Sequence, residues 1–270
     1  MLTTTIDGLW VLQVLAGIEV IAPELGLRPY LPSVETAQAA LVHPVAAELR
    51  DAGAITGAGE VDEAVRDWLT VLSRRSTALV FSVQTPSDPP TVERVVLAQF
   101  AQWWVALERC ESTVRLSSAG MATSEHSAAT LISSQIERLC GAMPPAPLRP
   151  ATLDIDELVG TVRDGDGLRR FLTHHRLDPD QISTLVLAAD TTKSAQACIV
   201  ATQSGRTNPA SRACVEPGAV AILDTPSGRL VSERVIRAGR PWMIVSPGSG
   251  GHIASAVLAM MRRLPERPVT

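Results

Sequence analysis

Lysine is almost absent from this chain, because Lys193 is the only one among its 24 basic residues. A Walker-type phosphate loop needs a lysine after a glycine-rich run, and Schiff-base catalysis needs a lysine as its nucleophile. Lys193 lies in the sequence Thr191-Thr-Lys-Ser, which has no glycine-rich run before it. Both chemistries are therefore set aside.

An excess of positive charge is also missing, because the formal net charge of the 270 residues is -4 at pH 7. The arginines occur singly or in short pairs, such as Arg74-Arg75, Arg169-Arg170 and Arg262-Arg263. Such pairs are more typical of helix ends or solvated faces than of a surface that follows a phosphate backbone. We therefore expect no nucleic-acid partner.

Features of a secretion signal or a membrane span are lacking near the amino terminus. No basic residue precedes Arg28, and the apolar stretch from Leu9 to Ile21 is interrupted by Gln13, Gly17 and Glu19. A signal peptide has a basic start, and a membrane helix needs about 20 largely apolar residues. The sequence thus predicts neither a secretion signal nor a membrane span in this region.

Cysteine is sparse and widely spaced, and no Cys-x-x-Cys pair occurs. The cysteines lie mostly in or beside apolar segments, where a free thiol behaves as a small buried hydrophobic group. We expect buried free thiols in a reducing compartment, with no metal site and no cofactor. The four residues are Cys110, Cys140, Cys198 and Cys214.

What the chain does contain is a pattern of elements that occurs twice, in residues 78–141 and 195–265. Each copy reads as an apolar strand, a polar loop, three further β-rich runs and a closing amphipathic helix. Equivalent units of this kind usually join or stack their sheets to bury faces that neither could hide alone. We predict one domain, residues 1–270, whose halves 1–142 and 151–270 are joined by a proline-rich connector.

Helical segments precede each β-rich copy. The first half has helical patterns at residues 7–17, at 35–53 with a break at Pro44, and at 61–72. In the second half, Asp154 and Asp178 are predicted N-caps of helices in a bundle of three short helices. The fold class is therefore α+β, with a duplicated unit of strands and helices.

A glycine-rich segment, residues 246–252, lies between a predicted strand and the last helix. Backbone N–H groups at such a place can bind phosphate, but the spacing matches no nucleotide-binding motif, and Ser249 suits an N-cap. A small-molecule or nucleotide-binding enzyme that uses this segment stays open as the alternative function.

Other catalytic or metal patterns are weaker. His174 and His175 are adjacent on a helix, so their side chains point about 100° apart and do not share one ion easily. Residues 164–167 resemble the start of a calcium loop, but the later ligand positions are occupied by Leu168 and His175, and we interpret the segment as a turn. No serine, histidine and aspartate form a recognisable triad. A binding protein is favoured over an enzyme.

Four stretches in one order resemble a known family, the type VII (ESX) secretion-associated EspG proteins of mycobacteria. The first stretch looks closest to the member from the second ESX locus, and the set extends over essentially the whole chain. The stretches are Thr5-Ile-Asp-Gly-Leu-Trp-Val-Leu-Gln with Pro23-Glu-Leu-Gly-Leu-Arg-Pro, residues 49–69, Val220-Ala-Ile-Leu-Asp-Thr-Pro-Ser-Gly-Arg-Leu-Val-Ser, and Trp242-Met-Ile-Val-Ser-Pro-Gly-Ser.

The resemblance implies a cytoplasmic chaperone without catalytic activity, which binds PE-PPE heterodimers through the apolar tip of the PPE subunit. Components of the ESX secretion machinery are a further partner that the resemblance allows. It also implies a pseudo-twofold fold with a central antiparallel sheet flanked by helical bundles. The parts that contact the substrate correspond here to the loop 85–91 and to the helices between Asp154 and Asp190.

The candidate binding residues follow from that placement. A groove for an apolar helix tip needs apolar anchors and a polar rim, and the second-half helices offer such a mixture. Two alternatives stay open, because Phe171 and its neighbours suit the interior of the bundle and residues 86–90 suit an idle hairpin loop. The candidates are Thr85, Pro86, Asp88, Pro89, Leu168, Arg169, Phe171, Leu172 and His175.

Overall fold

A computed structural model of the chain describes residues 1–87, 91–204 and 214–265. Its strands are β1 (Leu2–Thr5), β2 (Thr77–Thr85), β3 (Thr91–Phe100), β4 (Trp103–Cys110), β5 (Thr113–Met121), β6 (Ala151–Asp154), β7 (Ala195–Gln203), β8 (Cys214–Val215), β9 (Ala219–Thr225), β10 (Gly228–Arg237) and β11 (Arg240–Pro247). Its α-helices are α1 (Ile6–Ala16), α2 (Ala37–Val42), α3 (Val45–Asp51), α4 (Glu63–Arg74), α5 (Glu125–Cys140), α6 (Ile155–Thr161), α7 (Gly165–His174), α8 (Pro179–Ala189) and α9 (Gly250–Arg262).

The described residues divide into two compact units. The first unit comprises Met1–Phe81, Glu93–Ser127 and Thr202–Val215, and the second comprises Ser82–Val92, Ala128–Ala201 and Glu216–Thr270. Helix α5 closes the first copy of the repeated pattern, yet from Ala128 onward it belongs to the second unit. The units are therefore not the two halves of the sequence.

In the first unit, the strands lie in the order β1-β5-β4-β3-β2. Side chains alternate across a strand, so Val105 and Leu107 of β4 point to the same face of the sheet. Both are buried in a cluster with Leu12 of α1 and Leu69 of α4. Burial of large aliphatic side chains, about 1.5–3 kcal/mol each, makes this the main source of stability in the unit.

Local capping residues decide where the helices of the first unit begin and end. The Thr5 hydroxyl accepts a hydrogen bond from the N–H of Gly8 at 3.1 Å, and Gly17 ends α1 in the left-handed conformation. The predicted break at Pro44 is confirmed, since α2 ends at Val42 and α3 begins at Val45. The ring Nδ1 of His43 accepts a weak hydrogen bond from the N–H of Val45 at 3.4 Å.

In the second unit, the strand order is β7-β9-β10-β11-β6, and each of these neighbouring pairs is antiparallel. Helices α6, α7 and α8 form the predicted bundle of three. Asp154, Asp164 and Asp178 cap their amino termini, and Asp178 forms a reciprocal capping box with Gln181. Core residues of the bundle pack against Leu230 of β10 and other buried strand residues.

Two sequence-based expectations are corrected by this fold, and one strand was missed. Residues 165–167 are not a turn, because Asp164 accepts a hydrogen bond from the N–H of Gly167 at 2.7 Å and the segment becomes the first turn of α7. Strand β6 was not predicted, although it leads into α6 as β1 leads into α1. The cysteines are free, but Cys110, Cys198 and Cys214 are exposed rather than buried. Cys198, for example, is exposed on β7, whereas its neighbours Ala197 and Ile199 are buried.

Among the described helices, none has the length and apolar character needed to cross a membrane.

Candidate protein-binding site

Helix α7 carries four of the nine predicted binding residues, and the structure divides them between core and surface. Phe171 is 6% exposed and Leu172 is 0% exposed, and both belong to the core of the bundle. Leu168 is half-buried and packs against the same core, whereas Arg169 is exposed. The burial of Phe171 and Leu172 favours the alternative in which they hold the bundle together. Leu168 and Arg169 on α7 remain available to a partner.

His175 lies at the end of α7 and links it to α6. Its Nε2 lies 3.0 Å from a carboxylate oxygen of Glu157, and its ring centroid is 4.4 Å from that of Phe171. The ring of His174 is 5.6 Å away and at 88° to that of His175, so the two do not converge on one ion. In the described part of the chain, no three His, Cys, Asp or Glu side chains are grouped to hold a metal ion.

Val159 on α6 is an exposed apolar side chain that the sequence reasoning missed. It is 65% exposed, while its neighbour Leu158 packs partly against the bundle core. Adjacent helical side chains point about 100° apart, so only one of two consecutive apolar residues on a short helix faces the core. The Leu158-Val159 pair was therefore the signal that could have identified an apolar surface position on this bundle.

The loop after β2 begins in the second unit, which also contains the bundle. Thr85 and Pro86 are exposed, and Thr85 borders a cavity of about 60 Å³ that is also lined by Cys140 and Gln196. The Ser87 hydroxyl accepts a hydrogen bond from the N–H of Thr91 at 3.0 Å and so bridges the two ends of the loop. Two further candidates, Asp88 and Pro89, lie outside the described residues.

The glycine-rich segment before α9 is engaged in the fold. The Ser249 hydroxyl accepts a hydrogen bond from the N–H of His252 at 3.3 Å, as its predicted role as an N-cap requires. The N–H of Gly248 donates to the carbonyl oxygen of Arg229 at 2.8 Å. A Cβ atom at Gly248 would lie 2.6 Å from the Arg229 side chain, so the glycine is needed for close packing. These contacts give no support to a phosphate site.

A serine, a histidine and a glutamate come together beside this segment. The Ser246 hydroxyl lies 3.5 Å from Nδ1 of His252, and Nε2 of His252 lies 3.3 Å from the Glu233 carboxylate. The first distance is longer than a working nucleophile–base hydrogen bond, and Ser246 is only 3% exposed. A substrate carbonyl has no access to this hydroxyl.

Comparison with known proteins decides the family. The model of the EspG family matches residues 5–259. The ESX-2 secretion-associated protein EspG2 of Mycobacterium tuberculosis is 49% identical over 266 residues, which cover 98% of this chain and 96% of that protein. The chain belongs to the EspG family. The predicted resemblance, including its closeness to the member from the second ESX locus, is confirmed.

A second EspG relative and a solved structure agree with this assignment. The ESX-5 secretion-associated protein EspG5 of Mycobacterium marinum is 29% identical over 175 residues, 58% of this chain and 57% of that protein. A chain in the structure of the M. tuberculosis type VII secretion system chaperone EspG5 with the PE25-PPE41 dimer superposes with a TM-score of 0.76. It covers 98% of this chain and 96% of that chain at 20% identity. The predicted α+β fold class is confirmed.

Proposed function

We propose that this EspG protein is a cytoplasmic chaperone of a type VII secretion system, without catalytic activity. It binds a PE-PPE heterodimer at the apolar tip of the PPE subunit, keeps the heterodimer soluble and directs it to the secretion machinery. The observation that carries the proposal is the 49% identity, over 98% of the chain, to an ESX-2 secretion-associated EspG protein. The chaperone with the same fold, solved with a PE25-PPE41 dimer, supports the choice of substrate.

The proposed binding surface is the outer face of α6 and α7, together with the loop 85–91. Val159 supplies an exposed apolar side chain, and the half-buried Leu168 adds apolar area in the same bundle. Arg169 and His175 supply a polar rim. Protein interfaces commonly combine a few apolar anchors with such a rim, and the anchors provide most of the binding energy.

In this proposal, Phe171 and Leu172 support the binding surface from the core of the bundle. Both pack in the core of the bundle with Leu185 of α8, and the Phe171 ring also contacts the His175 ring. Rigid packing under a binding face reduces the conformational entropy that is lost when a partner docks. These two residues therefore preorganise the face on which Val159 and Arg169 lie, and they make no direct contact with the substrate.

The test is co-expression of the tagged chain with candidate PE-PPE pairs, followed by pull-down and size-exclusion chromatography. The parent chain is expected to form a stable complex with its cognate pair. Val159→Asp places a charge at the proposed anchor, so it should reduce complex formation by at least about tenfold while the protein stays folded. Val42→Asp is the matched control, because Val42 lies on the short helix α2 of the first unit and is 69% exposed.

The outcomes separate the parts of the proposal. A Val159→Asp protein that binds as well as the parent would refute the position of the anchor. Equal losses in Val159→Asp and Val42→Asp would point to a general charge effect instead of a site. Replacement of residues 85–91 by a two-residue turn should weaken capture, and unchanged capture would remove the loop from the interface. If the parent chain binds none of the candidate pairs, the chaperone function itself is contradicted.

A further inference from the structure

The second unit has an apolar groove on the sheet face opposite the helical bundle. Side chains alternate along β11, and Met243 and Val245 pack toward the bundle. Trp242 and Ile244 therefore point to the other face, where they line a cavity of about 380 Å³ together with Val235 and Thr152. The groove is thus separate from the surface that we propose for the substrate.

Two arginines form the rim of this groove. Arg237 is exposed, and Arg240 has a side chain that is 62% exposed. The Arg240 guanidinium lies 2.8 Å from the Asp154 carboxylate and 5.9 Å from the centre of the Trp242 ring. Arg240 therefore covers one side of the Trp242 ring, and its charge is partly balanced by Asp154.

The charge that remains at the groove is positive. Asp154 is engaged by Arg240 and also caps α6, and Glu233 of β10 faces His252 at 3.3 Å. Among the described residues, Arg237 has no carboxylate partner, and it faces solvent at the rim. A positive rim on a chain of net charge -4 is a local feature, and it is complementary to a carboxylate.

A sheet edge with which no other described strand pairs lies beside the groove. Strand β6 is the last strand in the order of the second unit, where it pairs with β11 in the register Thr152↔Ile244 and Asp154↔Trp242. It has only four residues, and Thr152 is exposed on the groove side. An edge of this kind presents unpaired backbone groups to which an extended peptide can add as a further strand.

We propose that this groove binds an extended segment of a partner protein that combines a large apolar residue with an acidic one. The segment pairs with β6 and places its apolar side chain beside Thr152, toward Trp242 and Ile244. Its carboxylate lies two residues away and reaches Arg237 or Arg240. The spacing fits, because Arg240 and Trp242 are themselves two residues apart on one face of β11, which corresponds to about 7 Å.

A synthetic peptide of seven residues tests the proposal directly. The probe has leucine at its centre, glutamate two residues to each side, threonine at the other positions and a fluorescein label. Fluorescence anisotropy with the full chain should show saturable binding that weakens with salt.

Arg237→Glu should weaken binding by at least about tenfold. Arg234→Glu is the matched control, because Arg234 is exposed on the opposite face of the same strand, and it should change binding by less than about twofold.

Two altered peptides test the chemistry and the backbone pairing. Replacement of both glutamates by lysine should abolish binding, and methylation of alternate backbone nitrogens should do so as well, because it removes donors that an added strand needs. Equal binding of the lysine peptide or of the methylated peptides would overturn the proposal, as would an unchanged affinity of Arg237→Glu. Binding of decanoate without binding of the acidic peptide would also overturn it, in favour of a small amphiphile.

Discussion

The guanidinium group of Arg229 on β10 donates a hydrogen bond to the carbonyl oxygen of Cys140 at 2.9 Å and thereby holds the carboxyl end of α5. It donates equally to the carbonyl oxygen of Gly141, and it pairs with Asp224 of β9 at 2.6 Å. Carbonyl groups in the last turn of a helix lack intrahelical partners and carry partial negative charge, so a cation is favourable there. Arg229 therefore donates hydrogen bonds to carbonyl oxygens at the end of α5 and also neutralises the buried carboxylate of Asp224.

Replacement of Arg229 by alanine is expected to destabilise the protein by about 3–5 kcal/mol, because it leaves the Asp224 charge buried without its partner. The side chains of Arg229 and Asp224 are only 6% and 9% exposed, so water does not compensate. Urea denaturation followed by circular dichroism measures the change. The double variant Arg229→Met with Asp224→Leu should lose clearly less than Arg229→Ala. An equal loss would show that the helix-end contacts outweigh the ion pair.

Phe171→Asp should unfold the helical bundle of the second unit. The substitution places a carboxylate without a cation among Leu172, Ile182 and Leu185, and burial of an unpaired charge is among the most costly single changes. Phe171→Leu should cost less than about 2 kcal/mol because it stays apolar. Far-ultraviolet circular dichroism and solubility show whether each variant is folded. A soluble, folded Phe171→Asp protein would show that the bundle tolerates solvent at this position.

The sequence predicted the helices and strands well wherever a periodic pattern met a capping residue. Asp154 and Asp178 located two helix starts because a short acidic side chain before an apolar run has few other roles. Strand β6 was missed because its four residues are too few for a period to show. The match between Thr5-Ile-Asp and Asp154-Ile-Asp would have identified it as the counterpart of β1.

The candidate site was less predictable than the fold. An amphipathic stripe such as Leu168, Phe171 and Leu172 shows which residues share a face, but not whether that face turns inward or outward. In the structure, this face of α7 packs against the sheet of the second unit. On α6, the Val159 side chain is exposed to solvent. Such choices depend on contacts between segments distant in sequence, which no local pattern contains.

Glu35 should make the stability of the first unit depend on pH. The hydrogen bond from Arg28, followed by that from the N–H of Leu31, lowers the pKa of this carboxyl, and the Trp10 indole N–H also donates to it. A lowered pKa stabilises the fold above the ordinary glutamate value of about 4.3, and this contribution is lost as pH falls through the lowered value.

Glu35→Gln is therefore expected to lower Tm at pH 7 and to differ progressively less from the parent as the solution is acidified below pH of about 4. Thermal melts of both proteins across this range provide the measurement. Glu60→Gln is a suitable control, since among the described residues Glu60 forms no ion pair with Arg28 or any other cation. A constant difference between parent and Glu35→Gln at every pH would refute the electrostatic origin.

Ser249→Ala should destabilise the protein by about 1 kcal/mol through loss of the N-cap of α9. Ser249→Asp should retain most of the stability, because its carboxylate accepts the same hydrogen bond and interacts favourably with the helix dipole. Chemical denaturation compares the three proteins, and pull-down with the cognate PE-PPE pair should show no change. A loss of capture at unchanged stability would mean that the glycine-rich segment binds a ligand.

The four thiols should react at different rates. Partial burial raises the pKa of Cys140 to about 11, so that at pH 8 only about one molecule in a thousand carries its reactive thiolate. Cys110 is exposed at the end of β4 and should be alkylated first by iodoacetamide, whereas Cys140 should be the slowest. Peptide mass spectrometry over time measures the order in which the thiols are alkylated.

The rate at Cys140 should rise about tenfold for each pH unit between 8 and 10, since the thiolate fraction rises by that factor below the pKa. If Cys140 reacts as fast as Cys110 at pH 8, the packing of α5 against β10 opens readily in solution, and the anchoring role of Arg229 is refuted.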